Sequence, residues 1–257
     1  MGTALVTGAS SGLGEAFAEV LASRGHRVVL VARRRARLEA LARRLEDDYG
    51  VDTEVLVANV GTEEGLASVS ARIGATPHPV GLLVNNAGFG LGQPFVGGDL
   101  AREQAALDVM VRAVLVLTHC AAKHMAARGR GGIINVSSIA AGTAMGTYAA
   151  HKTWVNAFSE AIAGELRPRG VRVVSLRPGT IATEFWEGIG QDSEKVATPL
   201  MLSARRVARS ALAALDAGRV TCVPAWQYRL IDAVRAKAPR GIVRAVTYAL
   251  HDRRFHL

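Results

Sequence analysis

The segment "TALVTGASSGLG", residues 3–14, decides how the rest of the chain is read. A short β-type run enters a turn with glycines at positions 8, 12 and 14, and helical periodicity starts near Leu13. Glycine permits the tight turn and lets backbone N–H groups approach an anion closely. A helix opening at such a turn aims its positive dipole end at the same place. Three glycines alone are weak evidence. Between the first strand and first helix of an alternating chain they predict a dinucleotide site, with Gly8, Ser10, Ser11, Gly12, Leu13 and Gly14 as the contacts.

The chain does alternate. Val/Ile/Leu-rich runs at 3–7, 27–32, 53–58, 81–85, 132–137, 171–176 and 220–224 read as strands. Stretches such as 13–24, 34–48, 101–128 and 152–167 are long enough for helices. Continuous apolar runs, rather than in–out alternation, mark strands covered on both faces. The expectation is an α/β chain: one Rossmann domain over 1–257, a doubly wound parallel sheet of about seven strands with helices on both faces. No Pro/Ser-rich linker or internal repeat divides it.

Composition adds exclusions. Apolar residues make up 49% of the 257, ample for a core. The net charge of +9 comes from dispersed arginines and only four lysines, which reads as surface charge and not as a nucleic-acid footprint. Cys120 and Cys222 lie far apart without ligand spacing, so free thiols and no metal are expected, in a cytoplasmic protein. The start lacks a basic leader, and no run of about 18 uninterrupted apolar residues suggests a membrane span.

The second strand ends "VARRRAR" (31–37). An acidic residue at that strand end would take a ribose 2′-hydroxyl; Arg33 and Arg34 suit a 2′-phosphate instead. NADP(H) is therefore expected over NAD(H), with Arg33 the preferred contact and Arg35 and Arg37 on a solvated helix face.

"TGASSGLG" (7–14), "NNAG" (85–88), "INVSS" (134–138), "YAAHK" (148–152) and "RPGTIAT" (177–183) follow in order. With these motifs the chain resembles the short-chain dehydrogenases/reductases over roughly residues 2–185; "VLVARR" (29–34) and the "GFGLGQPF" (88–95) after "NNAG" are most similar to the bacterial branch that includes ketoacyl reductase-like members. The resemblance implies roles. Thr7 and Asn86, Ala87 and Gly88 would brace the strand ends near the adenine side. Asn59, with Val60 after it, would sit beside the adenine. Ser138 would bond the substrate carbonyl and Tyr148 would carry the proton. Lys152 would bind the nicotinamide ribose and lower the tyrosine pKa. Pro178 and Gly179 would pass under the nicotinamide, with Thr183 near its carboxamide. Tyr148 and Lys152 are four apart, on one helical face, so the pair can meet. A homodimer or homotetramer is implied by the same resemblance.

The pattern breaks twice. Met110 stands where many members carry an asparagine, and a thioether donates no hydrogen bond. The loop 139–147 is shorter than usual, leaving Ser137 as an alternative to the preferred Ser138. His151 is expected to point off the catalytic face. Residues 184–202 read as a substrate lid with Phe185, Trp186 and Ile189 as apolar lining, and 225–257 as a basic amphipathic extension. Packing of that extension on the body or a second subunit is favoured over contact with an anionic membrane. The reading is an NADP(H)-dependent ketone/aldehyde–alcohol oxidoreductase for an apolar substrate. The alternatives are net-neutral chemistry (an epimerase or dehydratase) and a catalytically quiet dinucleotide-binding protein.

Overall fold

The computed structural model describes residues 2–181 and 200–255, with side chains to Ala249. The strands are β1 (Thr3–Thr7), β2 (Arg27–Ala32), β3 (Thr53–Val57), β4 (Val80–Asn85), β5 (Gly131–Val136), β6 (Val171–Leu176) and β7 (Thr221–Cys222). They form one parallel sheet in the order β3-β2-β1-β4-β5-β6-β7. The chain steps outward from β1 to β3, then returns to the other side of β1 with β4. That reversal opens a crevice at the carboxyl ends of β1 and β4.

Helices cover both faces. On one side α1 (Gly12–Ser23), α2 (Arg35–Tyr49) and α7 (Ala204–Asp216) bury Phe17, Leu21, Leu38, Leu45 and Leu212. On the other lie α3 (Glu63–Gly74), α5 (Ala113–Ala127) and α6 (Gly146–Leu166), contributing Val69, Ile73, Leu117, Met125 and Leu166. Every residue of β1 is buried, which is why it lacks an alternating pattern.

The expected helix 101–128 is α4 (Leu100–Leu107) and α5 joined by one π turn, Asp108–Arg112. Such turns carry an i→i+5 bond and cluster at functional sites; Met110 is at its centre. Taken together, Leu100–Ala127 is long and apolar enough to cross a membrane by length and composition, its most apolar 18-residue window having a mean hydropathy of 1.6. Here it lies on the sheet, with Met110, Ala113, Leu117, Ala121 and Met125 buried. After β7 come α8 (Trp226–Lys237) and α9 (Arg240–Phe255).

Candidate active site

The glycine turn follows β1 directly. Gly8 and Gly12 have φ of +69° and +58°, which side chains rarely adopt. Gly14 is fixed by contact: a Cβ there would stand 2.1 Å from the Gly8 carbonyl oxygen. The next strand holds the turn in place. Asn86 Nδ2 donates to the Thr7 carbonyl (2.9 Å), and the Asn86 and Ala87 amides donate to Thr7 Oγ1 at 3.0 and 3.1 Å.

Side chains of Thr62, Asp99 and Ser203 cap α3, α4 and α7, but Ser11 makes no such bond to α1 although it occupies the N-cap. Instead Ser10 Oγ and Ser11 Oγ accept from Arg34 Nη2 at 3.0 and 2.7 Å. The first amides of α1 are thus not taken by a capping side chain, and a narrow glycine cradle lies beside them. The geometry fits a pyrophosphate.

Arg34 is folded back on this loop, whereas Arg33 beside it is exposed with no partner among the described residues. Asn59 Oδ1 accepts from the Gly61 amide (3.1 Å), closing the turn after β3, and Val60 is buried next to it.

The second half of the site grows from β5 and α6. Tyr148 and Lys152 lie one turn apart on α6, with Lys152 Nζ 5.8 Å from the Tyr148 ring centroid. The ammonium is buried and donates to the Val136 carbonyl (2.8 Å). Burial lowers Lys152 from 10.5 to about 8. Burial raises the Tyr148 phenol to about 12, while a hydrogen bond with Ser138 pulls the other way. Desolvation outweighs that bond and sets the direction of the phenol shift.

The two serines separate clearly. Ser137 Oγ is buried and donates to the Lys152 carbonyl (2.7 Å), pinning α6 to β5. Ser138 Oγ accepts from the Ala140 amide (3.1 Å) and meets Tyr148. Met110 is fully buried with Leu91 and Ala106 and packs against Tyr148. A Cβ on Gly88 would lie 3.5 Å from Met110 and 3.6 Å from Lys152 Nζ, so the thioether fills the space near the ammonium. His151 is half-buried, and burial lowers its pKa.

Three groups escaped the sequence reading. Asn135, wholly buried in β5, accepts from Asn85 Nδ2 (2.9 Å) and donates to Ser159 Oγ (3.0 Å); Asn85 also donates to Thr118 (3.0 Å). This polar chain ties β4, β5, α5 and α6 together beneath the site. Its signal was a polar residue inside an apolar strand. Glu103 accepts from Thr147 Oγ1 (2.7 Å), joining α4 to α6 one residue before Tyr148.

Tyr228 of α8 is the third. Its hydroxyl accepts from the Thr180 amide and donates to the Leu200 carbonyl, both at 3.1 Å, and its ring covers Gly179 so closely that a Cβ there would lie 2.1 Å from it. Pro178–Thr180 is thus held from behind. Tyr228→Phe keeps the ring and loses both bonds. The expected result is about 1–2 kcal/mol of stability and a raised KM for the dinucleotide with kcat little changed. Thermal melting and steady-state kinetics measure the two; a normal KM would remove the positioning role. Thr183, Phe185, Trp186 and Ile189 lie outside the described residues, as does most of the 184–202 stretch.

Sheets of this strand order, with a glycine turn at the reversal, are Rossmann-type nucleotide-binding folds, and this chain is one. Its kinship is narrower. Residues 2–194 match the short chain dehydrogenase family, and the chain belongs to that family. It is 34% identical over 190 residues to a very-long-chain 3-oxoacyl-CoA reductase of Anas platyrhynchos, covering 71% of this chain and 60% of that relative. A short-chain dehydrogenase from Sphingobium yanoikuyae in complex with NADPH superimposes with TM-score 0.83 at 32% identity, over 92% of this chain and 94% of the other. A bulky-bulky ketone specific alcohol dehydrogenase from Comamonas testosteroni gives TM-score 0.79 at 30% identity, over 92% of each.

Proposed function

We propose that this protein is an NADP(H)-dependent oxidoreductase that interconverts an apolar ketone or aldehyde and its alcohol. The observation that carries the reading is the meeting of Tyr148 with Ser138, one helical turn from buried Lys152, at the strand ends beside the glycine cradle. A bound reduced nicotinamide supplies the hydride. The chain does the rest. Ser138 donates to the carbonyl oxygen and polarises it. Tyr148, protonated at neutral pH as a phenol ordinarily is, gives its proton to the oxygen as negative charge develops there. Lys152 sets a positive charge near the phenol, which favours phenolate in the reverse direction. Ala141, Leu91 and Met110, all buried near these groups, support an apolar substrate. The named substrates of the similar proteins, a 3-oxoacyl thioester and bulky ketones, support the same class.

Consumption of NADPH and NADH over a panel of ketones and aldehydes tests this. Arg33 and Arg34 support the 2′-phosphate preference. Arg33→Ala should raise KM for NADPH about tenfold and leave NADH almost unchanged, the loss of a charge-assisted bond. Equal effects on both coenzymes would remove Arg33 from that role. Met110 favours a second reading, a catalytically quiet dinucleotide-binding protein, because no side-chain donor stands in that position. Tight NADPH binding without turnover on any carbonyl would select it.

A further inference from the structure

The helix α8 is packed inside out. Its inward stripe is Tyr228, Asp232 and Arg235, spaced i, i+4, i+7. Asp232 receives Arg177 and, at 2.7 Å, Arg235, and the Arg235 guanidinium lies over Gly142 of the 139–147 loop. The apolar stripe faces away from the body: Trp226, Leu230 and Val234 are 71%, 59% and 61% exposed. The helix α9 repeats the arrangement, with Thr247 buried and Ile242 and Val246 exposed. An amphipathic helix normally buries its apolar stripe. Here polar contacts fix the other side, so the expected packing of this stripe on the body is not what the structure shows.

A second exposed apolar group borders the same site. Phe95 and Val96 are 72% and 88% exposed, with Leu100 beside them at the start of α4. The helix α4 is tied to Thr147 through Glu103, and α8 backs Gly179 and covers Gly142. The two groups therefore flank the site from two sides.

Charge decides what covers them. Residues 224–257 hold seven arginines and lysines against two aspartates. Arg229, Lys237, Arg240 and Arg244 are exposed among the outward apolar residues. A second copy docking by the same face would set these cations against each other, and interface cores are depleted of such charge. An anionic, deformable apolar phase satisfies both features: cations at the headgroups, Trp, Leu, Ile and Val below them.

We propose that the outward face of α8 and α9, with Phe95 and Val96, docks on an anionic phospholipid membrane, turning the site toward the lipid. Docking is independent of the catalytic reading, since it needs only the surface.

The full-length protein is sedimented with phosphatidylcholine vesicles, with and without about 30% phosphatidylserine, at low and physiological salt. Binding to the anionic vesicles, weakened by salt, is expected. The double variant Leu230→Asp/Val234→Asp changes only outward-facing residues and should keep its circular dichroism and melting temperature. Its vesicle affinity should fall at least about tenfold. Phe95→Asp should weaken binding as well. No binding at low salt overturns the proposal. So does binding that the double variant leaves intact, because charge elsewhere then carries it. A vesicle-free oligomer that the double variant dissociates also overturns it, in favour of a second copy on this face.

Discussion

Tyr148→Phe should lower kcat for ketone reduction by about 10²–10⁴-fold, the usual contribution of a positioned acid, and leave NADPH affinity within about threefold. The ring is retained, so its packing on Met110, Leu91 and Ala106 survives and the protein keeps its fold. What is lost is the one phenolic proton set against Ser138. The pH dependence follows from the same group. With the phenol pushed up to about 12, it is a protonated donor throughout the neutral range, and reduction should vary little between pH 6 and about 9. Alcohol oxidation needs the phenolate and should rise with pH up to about 8, then less steeply as Lys152 sheds its charge. Steady-state rates in both directions, with fluorescence titration of NADPH, check this. A variant retaining more than a tenth of wild-type kcat would contradict the assignment.

Lys152→Met should abolish most activity while raising stability in the absence of coenzyme. Burial lowers the folded-state ammonium from 10.5 to about 8, so the folded protein binds this proton less tightly than the unfolded chain does. At pH 7 the lysine is charged in both states and burial of the charge costs up to about 3 kcal/mol of stability. As pH climbs from about 8 toward 10, the folded state sheds the proton first and wild-type stability rises. Above about 10 the half-buried Tyr148 reverses the trend, because the unfolded phenol ionises before the folded one. Methionine removes the buried charge and the bond to Val136. The net expectation is a melting temperature raised on the order of 5 °C at pH 7, the rise above pH 8 flattened, and turnover down at least about a hundredfold. A lower melting temperature with an unchanged pH profile would show that this ammonium carries no desolvation cost. A stabilising loss of function is what a strained functional group produces.

Much of this was legible in the sequence. Val/Ile/Leu runs locate buried parallel strands because both faces of such a strand need apolar cover, and six of the seven predicted strands agree with the structure to within a residue. The glycines at 8, 12 and 14 were readable because each answers a backbone or contact demand. Periodicity alone marks the helix bearing Tyr148 only from 152, although the Tyr148–Lys152 spacing already puts both on one helical face. The helix opens at Gly146, with Met145 as an N-cap that makes no side-chain bond, so no capping signature marks its start. The π turn at Met110 has no local signal at all. Periodicity showed that α8 is amphipathic but could not show which side faces in. Buried ion partners decided that, and Arg177, 55 residues before Asp232, is invisible to a local pattern. Tyr228 was missed for the same reason: it was hidden in a stretch read only for its apolar stripe.

Hydride transfer between a nicotinamide and a carbonyl at this site is open to a direct test. NADPH deuterated at C4, each diastereomer in turn, is incubated with bulky ketones, and the alcohol product is analysed by mass spectrometry. Deuterium is expected on the carbinol carbon from one diastereomer only, with little labelled product from Tyr148→Phe. NADPH bound tightly by the wild-type protein, with no label reaching any product, would contradict it.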